Sequence, residues 1–251
     1  MRLYDKLHMI HRCWGYRFKS EVPSIRFLLK CNLKNTTLID IGANKGIYCI
    51  YMSRAAGKNG NVIAFEAQPE LGTHLQFVKE SFKLDNLILV NQGLSSSPGV
   101  MKMGRSKVGS GQASFYFDPK AGLEEIDIPV TTLDEFLFNK DYGSISFIKC
   151  DVEGHEYDVL RGAKQTLKKH FPILLFECGQ SEANEGGIFR YLVDLGYDGF
   201  FFYVSPADHA NYLHKGRGKY VHYSQHAEYE FVRSTVNYRN YIFVPKGTVL
   251  V

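Results

Sequence analysis

The stretch TLIDIGANKGIY, residues 37–48, decides the fold of this chain. Its first five residues form a run that is apolar apart from Asp40, which is typical of a strand buried on both faces of a parallel sheet. Gly42 and Gly46 let the backbone turn tightly and approach a ligand closely. A helical pattern starts directly after the second glycine. A buried strand that runs through a glycine turn into a helix predicts an α/β unit.

The same pattern recurs along the chain. Four more apolar runs are separated by stretches of helical periodicity: VIAFE (62–66), LILVN (87–91), FIKCD (147–151) and ILLFE (173–177). Alternating strands and helices with right-handed crossovers predict a doubly wound, mostly parallel, seven-stranded sheet of the Rossmann-like α/β class. We assign residues 37–251 to this domain and residues 1–36 to an N-terminal helical cap.

Two segments add detail to this alternation. Residues 100–135 break the rhythm after the third strand and predict an insertion, with short strands at VMKM (100–103), ASFYF (113–117) and EIDIPV (125–130). This insertion, which contains the Gly/Ser loop GRSKVGSGQ (104–112), could lie over a ligand site. After the fourth apolar run, HEYDVLRGAKQTLKKH (155–170) has the period of one helix and ends in basic residues that suit a helix C-terminus.

Both ends of the chain carry apolar patterns of their own. Leu3, Leu7, Ile10 and Trp14 are spaced by four, three and four residues, which predicts an amphipathic helix. Tyr, Phe and His crowd residues 200–251, where FFFYV (200–204) and NYIFVPK (240–246) predict the last strands. Such an aromatic segment is more typical of a core than of a substrate wall.

Composition limits the classes of protein to consider. The chain has 251 residues, is 45% hydrophobic and carries a net charge of +4, so it can form a core and is too weakly basic to indicate nucleic-acid binding. Five cysteines without CxxC spacing predict a reducing, cytoplasmic compartment. No apolar run has the length of a membrane span. The basic clusters KMGRSK (102–107) and HKGRGK (214–219) are interpreted as solvated loops.

Acidic residues stand where two neighbouring strands end. Asp40 belongs to the first run, and Glu66 closes the second, 66 − 40 = 26 positions later. This offset is close to the roughly 20 residues that separate a glycine turn from the ribose-binding acid of nucleoside-binding βαβ units. The loop is not the dinucleotide pattern GxGxxG, because Asn44 occupies the second glycine position. Asn tolerates unusual backbone angles.

The most acidic strand end is FIKCDVEGHEYDVL, residues 147–160. Lys149 and Asp151 point the same way along an extended strand, so they should form a pair. Glu153 and Glu156 fall in the first turn of the next helix, where the helix dipole favours carboxylates, and helix capping is therefore an alternative to a catalytic role for both.

Together these motifs identify a resemblance. IDIGANKGIY (39–48), FEAQPE (65–70), VTTLDEF (130–136) and IKCDVEGHEYDVLRGA (148–163) resemble the FkbM family of class I S-adenosylmethionine-dependent methyltransferases. The resemblance implies O-methylation of a hydroxyl, with a sugar or another small molecule as acceptor. It also implies residues that surround the cofactor: Asp40, Gly42, Asn44 and Gly46 at the methionine part, Glu66 at the ribose, and Gln92 and Gly93 at the adenine. Asp151 is expected at the face where the cofactor and the acceptor meet, so it counts among the cofactor-binding residues as well.

Methyl transfer to a hydroxyl requires in-line positioning and a base. Asp151 and His155 are the candidate bases, Lys149 pairs with Asp151, and Glu177, at the end of the fifth run, should project towards the same crevice. Asp151 and Glu177 could hold Mg²⁺ or hydrogen-bond a sugar diol. The metal-free arrangement is favoured, because no third oxygen ligand is evident.

Three other functions remain as alternatives. A dehydrogenase is disfavoured by the loop pattern. A nucleic-acid methyltransferase is compatible with the basic loops, but the fourth strand lacks an NPPY or DPPY run. A non-catalytic binding protein is disfavoured by the intact acids at positions 40, 66 and 151. The acceptor pocket is expected to be built by residues 104–120, the N-terminal helices and the aromatic C-terminal segment.

Overall fold

A computed structural model describes residues 3–205, 218–228 and 238–250. Its contacts divide the chain into two compact units. The central unit is Leu33–Pro172, and the terminal unit combines Met1–Asn32 with Ile173–Val251. Our predicted boundary after residue 36 divides the chain differently and stays a prediction.

The central unit is built on four parallel strands. Its elements, in chain order, are β1 (Thr37–Ile41), α3 (Ile47–Ala56), β2 (Asn61–Phe65), α4 (Pro69–Phe82), β3 (Leu87–Val90), β4 (Gly93–Leu94), β5 (Gly99–Arg105), β6 (Glu124–Thr131), α5 (Leu133–Leu137), β7 (Ile145–Cys150), α6 (Glu156–Arg161) and α7 (Lys164–His170); the helices preceding α3 belong to the terminal unit. The parallel strands lie in the order β7-β1-β2-β3. The order reverses at β1, which pairs with both β2 and β7. Such a switch point is where doubly wound sheets bind ligands.

Burial explains why these residues form strands. All five residues of β1 are buried, and four of the five residues of β2 are buried as well. Strands covered on both faces must be apolar throughout, which agrees with the sequence pattern. The predicted doubly wound α/β fold class is confirmed by these parallel strands and their helical connections.

The insertion after the third strand forms a small separate sheet. Its order is β4-β6-β5, and its core contains Met103, Ala113, Ile128 and Val130. The strand predictions for residues 100–103 and 125–130 are confirmed. The prediction for 113–117 is wrong, because only Ser114 bridges to a strand, at Gly104. The aromatic rings of that segment fill the space beside Gly104 and Gly93 instead of pairing along an edge.

The predicted single helix over 155–170 is also wrong, since the structure has two helices, α6 and α7. The break lies at Gly162, where an added Cβ would come within 2.1 Å of the Ser95 carbonyl oxygen. A second helix start is then stabilised by Asp134, whose carboxylate accepts hydrogen bonds from the backbone N–H groups of Gln165 and Thr166, both at 2.8 Å. The contacts with Ser95 and Asp134 therefore divide a segment whose sequence has the period of a single helix.

The terminal unit contains the remaining elements. They are α1 (Leu3–Gly15), a π-helix (Tyr16–Ser20), α2 (Val22–Lys30), β8 (Ile173–Gly179), α8 (Gln180–Glu185), α9 (Gly187–Asp194), β9 (Tyr197–Tyr203), β10 (Lys219–His222) and β11 (Tyr238–Pro245). Its strands lie in the order β10-β9-β11-β8, with antiparallel pairs. The aromatic residues pack in its interior: Phe176, Phe189, Phe201, Tyr241 and Phe243 are all buried. The interpretation of this segment as core is confirmed for the described residues.

Several global predictions can be compared with these elements. Besides the insertion sheet, each unit contributes four described strands, so the count is eight instead of the predicted seven. All five cysteines are free thiols. Among the described residues, no helix combines the length and the apolar character that crossing a bilayer requires.

Candidate functional site

A cleft of about 530 Å³, measured with the open space at its mouth, lies in the central unit at the carboxyl ends of the parallel strands. Six of the predicted site residues line it: Gly42, Asn44, Glu66, Gln92, Gly93 and Asp151. Four others in this unit do not: Asp40, Gly46, Lys149 and His155.

The loop between β1 and α3 requires residues that can adopt positive φ angles. Gly42 has φ +76°, and a Cβ there would lie 1.9 Å from the carbonyl oxygen of Asp151. Its N–H donates to the Phe65 carbonyl at 3.0 Å, so the loop is fixed against two strand ends at once. Asn44 has φ +48°, as its tolerance of unusual angles predicts. Gly46, with φ +79°, begins α3 behind the cleft.

Glu66 stands directly after β2 and is 6% exposed. Its two carboxylate oxygens accept hydrogen bonds from the backbone N–H groups of Asn44, at 2.7 Å, and Gln68, at 2.9 Å. Burial raises the pKa of Glu66, and these two hydrogen bonds oppose the rise because they favour the ionised form. Glu66 therefore shapes the glycine loop as well as presenting a carboxylate to the cleft.

Gln68 holds the insertion over the cleft, a role that sequence reasoning missed. Its side-chain amide donates to the carbonyl of Ser110 at 2.9 Å and accepts from the N–H of Gly109 at 3.1 Å. Gly111 of the Gly/Ser loop and Ala113, which follows that loop, line the cleft. That the insertion lies over a ligand site stays a prediction, and the two contacts from the buried Gln68 amide hold the loop beside the cleft.

We expect the substitution Gln68→Leu to loosen this loop without unfolding the chain. It removes both hydrogen bonds and leaves the Gly109 and Ser110 backbone groups without them, at about 1 kcal/mol for each bond. Amide hydrogen exchange over residues 106–116 should accelerate by roughly ten- to a hundredfold. The control is Gln76→Leu, since Gln76 is an exposed glutamine of α4 bonded to Glu80. Equal exchange in both variants would mean that Gln68 does not hold the loop.

A buried charge cluster lies beneath the cleft. Asp40 is wholly buried, and its Oδ1 is 3.7 Å from Lys149 Nζ. Lys149 reaches Asp151 Oδ2 at 3.1 Å and donates to the Gly42 carbonyl at 3.2 Å. The predicted Lys149–Asp151 pair is confirmed. Burial lowers the pKa of Lys149, but the two carboxylates outweigh burial and raise it. Burial raises the pKa of Asp40, which Lys149 opposes.

Glu153 lines the cleft beside Asp151 in an unusual backbone conformation. Its φ is +55°, in the left-handed region that few non-glycine residues adopt. Burial, followed by the neighbouring charge of Asp151, raises the pKa of Glu153 to about 7, against the opposing effect of Lys149. Glu153 precedes the helix instead of lying in its first turn, so the capping alternative does not describe it. A carboxyl group that titrates near neutrality in a cleft is suited to proton transfer.

The side chains of His155 and Glu156 contact other protein groups and do not line the cleft. The imidazole of His155 is 2% exposed, its Nε2 lies 3.0 Å from Ser95 Oγ, and the rings of Phe115 and Tyr116 pack against it. Burial lowers the pKa of His155. Glu156 accepts from the N–H of Val152 at 2.7 Å, as expected for a residue that caps the helix start. The predicted role of His155 as a base is not supported by this placement.

Glu177 belongs to β8 in the terminal unit, opposite Asn240 of β11. Its participation in the site stays a prediction. Within the described ranges, no three His, Cys, Asp or Glu side chains come together as a possible metal site.

Two of the three basic residues in the first basic cluster, 102–107, pair with acidic side chains. Arg105, whose side chain is 3% exposed, contacts Glu70 at 2.8 Å and Glu124 at 2.9 Å. Lys102 pairs with Asp127 at 3.3 Å and Glu125 at 3.6 Å. These pairs hold the insertion together and offset the charge of two of the three basic residues of 102–107. Most of the second cluster, residues 214–217, lies outside the described residues.

Comparison with known proteins agrees with this geometry. The methyltransferase FkbM domain matches residues 40–243. Hexuronic acid methyltransferase AglP of Haloferax volcanii is 28% identical over 175 residues, which are 68% of either chain. The structure resembles a methyltransferase FkbM of Methylobacillus flagellatus, with a TM-score of 0.55 and 14% identity; the match covers 85% of this chain but only 45% of that one. It also resembles an O-methyltransferase of Bacillus cereus solved with S-adenosylhomocysteine (SAH), with a TM-score of 0.52, 12% identity and coverage of 95% and 89%.

Proposed function

The chain belongs to the FkbM methyltransferase family, and on this premise we propose that it is an O-methyltransferase for a carbohydrate hydroxyl, with sugars that contain a hexuronic acid as the first acceptors to test. The observation that carries this proposal is the acidic cleft at the ends of β1, β2 and β7, where Glu153 lies beside Asp151. The relative that methylates a hexuronic acid supports the choice of acceptor.

The residues of the cleft fit S-adenosylmethionine. When bound, this cofactor supplies an electrophilic methyl group on a sulfonium. Gly42 lines the cleft with bare backbone, and its lack of a Cβ lets that backbone pack against the carbonyl of Asp151. The carboxylate of Glu66 is suited to accept hydrogen bonds from ribose hydroxyls. Gln92 and Gly93 adjoin an apolar wall that suits a flat purine ring, formed by Phe65, Leu94, Met103 and Phe115.

The acceptor hydroxyl must lose its proton, and the Glu153 carboxylate is the group that we assign to take it. Lys149 holds Asp151 at the same mouth, where the carboxylate of Asp151 can orient an acceptor hydroxyl. Asp40 acts through Lys149 instead of touching a ligand. His155 acts as a positioning residue, because it ties the segment between β7 and α6 to Ser95.

The deciding experiment is a transfer assay with radiolabelled S-adenosylmethionine and acceptors that contain either a hexuronic acid or the matching neutral hexose. A hexuronic acid offers two oxygen nucleophiles, and the products differ chemically: a methyl ether survives mild alkali, whereas a methyl ester is hydrolysed. We expect an alkali-stable product. An alkali-labile product would show that the carboxylate is methylated, and the absence of transfer to any carbohydrate would reject the acceptor class.

We expect Glu66→Ala to weaken binding of SAH by about a hundredfold in calorimetry, since a buried carboxylate that accepts hydroxyl hydrogen bonds is lost. Loss of the loop contacts could also weaken binding. A 2′-deoxy analogue of SAH separates the two effects: the unmodified protein should prefer the parent compound, and the variant should bind both alike. A variant that keeps the preference would exclude Glu66 from ribose binding.

Two expectations remain part of the proposal. The free thiols suit a reducing compartment, which supports a cytoplasmic location. A nucleic-acid acceptor has less support, because two of the three basic residues of 102–107, Lys102 and Arg105, are paired with acids.

A further inference from the structure

The apolar stripe of α1 is exposed instead of buried. Leu7, Ile10 and Trp14 are 56%, 37% and 65% exposed, and Phe18 of the π-helix is 52% exposed. The face of α1 that is buried is a different one, with Met9 and Cys13. Trp14 and Phe18 pack edge to face, with ring centroids 6.1 Å apart. We call the four exposed side chains the α1 stripe. A continuous exposed apolar surface of this kind indicates a binding surface.

Positive charge is concentrated on the same segment. Residues 1–20 contain the five basic residues Arg2, Lys6, Arg12, Arg17 and Lys19 and the single acid Asp5, so their net charge is 5 − 1 = +4. The whole chain also has a net charge of +4, which leaves residues 21–251 with a net charge of zero. Residues 1–20, the segment that contains the α1 stripe, therefore account for the whole net positive charge of the chain.

Polar side chains, one of them a lysine, flank the stripe. At 3.6 residues per turn, Lys6 lies about 80° to one side of Trp14 and His11 about 60° to the other side. Arg17 and Lys19 are exposed at the end of the segment. Long basic side chains beside an apolar stripe can bury their stems and keep their charges in a polar layer. Tryptophan and phenylalanine on the apolar face complete the pattern of a helix that lies in a membrane interface.

We propose that residues 3–20 bind the surface of an anionic membrane, with the α1 stripe inserted at the boundary between head groups and acyl chains. The net charge of this segment distinguishes between two partners that could cover the α1 stripe, a second copy of the chain and an anionic lipid surface. Residues 3–20 have a net charge of 4 − 1 = +3. Two copies of this chain would bring together two such segments, which repel each other, whereas an anionic lipid surface is attracted by both the charge and the apolar side chains. The segment would lie on the membrane without spanning it.

The protein carries its own reporter, because Trp14 is the only tryptophan in the chain. Intrinsic fluorescence of the full chain should shift to shorter wavelength when vesicles of phosphatidylcholine with a quarter phosphatidylglycerol are added. The protein should float with these vesicles in a density gradient. Vesicles of phosphatidylcholine alone should give a much weaker shift, and high salt should reduce binding to the anionic vesicles.

The double variant Leu7→Gln with Ile10→Gln keeps Trp14 and changes only exposed side chains. Its affinity for the anionic vesicles should fall by about tenfold or more, because two apolar side chains no longer insert. The matched control is Val100→Gln, which changes a side chain that is 69% exposed in the central unit and should leave binding unchanged. No spectral shift with anionic vesicles, or unaltered binding of the double variant, would overturn the proposal. A shift that grows with protein concentration alone, together with dimers in sedimentation, would assign the stripe to a second copy.

Discussion

Glu153→Gln should lower kcat by about 10²–10⁴-fold while SAH binds nearly as well as before. A general base of this kind contributes a factor of that size. Gln has the same shape as Glu but cannot accept a proton at neutral pH, so positioning is kept and proton removal is lost. The measurement is steady-state methyl transfer to the acceptor found by the assay above. Undiminished turnover would contradict the role of Glu153 as the base.

The pH profile gives a second reading of the same substitution. Because burial raises the pKa of Glu153 to about 7, the ionised form that accepts a proton becomes populated as pH rises through 7. The value of kcat/KM of the unmodified enzyme should therefore increase between pH 6 and 8 and then level off, and this titration should be missing from the variant. Glu125→Gln is the control, since Glu125 is an acid of the insertion that contacts Lys102. It should keep both the rate and the profile.

The stability of the Glu153 variant should change in the opposite direction to its activity. The folded protein holds a proton on Glu153 at pH values where the unfolded chain has lost it, so this residue destabilises the fold progressively as pH rises from the ordinary value for Glu towards 7. Glu153→Gln removes that effect. The variant should have a higher melting temperature than the unmodified protein above pH 7 and a similar one below pH 4. Retaining a destabilising acid is expected where function requires it.

The sequence predicted which strand ends meet, because parallel strands place their carboxyl ends at one edge. It did not predict how deep each acid lies. Asp40 pairs in register with Ala64, so it lies two positions before Glu66 along the strand direction. This offset puts Asp40 inside the sheet and Glu66 at its rim. Both acids look alike in the sequence, and only the register separates a buried charge from a cleft residue.

Other features could not be predicted for a similar physical reason: the periodicity of a sequence describes one helix or strand and does not show which residues pack against it. His155 was expected in the site, but Ser95 and two aromatic rings of the insertion enclose it. The stripe of α1 was correctly predicted as an apolar face, yet that face is exposed. Gln68 was not singled out, because its two partners lie 41 and 42 positions away. In the sequence, only Gly154, directly after Glu153, indicates a tight turn at which Glu153 could adopt a left-handed backbone conformation.

Lys149→Met should lower the free energy of unfolding by about 3–5 kcal/mol at pH 8. The side chain of Lys149 is 8% exposed and lies between a wholly buried Asp40 and the half-buried Asp151. Removing its charge leaves a buried carboxylate without a compensating cation. Denaturant unfolding measures the loss. Lys102→Met is the control, because Lys102 also pairs with two carboxylates but is 63% exposed, and its loss should leave the unfolding midpoint nearly unchanged.

A second substitution tests whether the loss arises from an unpaired charge or from packing. Adding Asp40→Asn to Lys149→Met removes the buried carboxylate, so the double variant should be more stable than Lys149→Met alone, with a strong favourable coupling between the two sites. Lowering the pH should also reduce the destabilisation caused by Lys149→Met. Without Lys149 the pKa of Asp40 must rise further, so protonation at pH 5 neutralises the unpaired acid and should narrow the stability difference from the unmodified protein. If the difference were constant from pH 8 to pH 5 and additive with Asp40→Asn, Lys149 would stabilise the fold by packing alone, and the link from Asp40 through Lys149 to Asp151 would have no electrostatic basis.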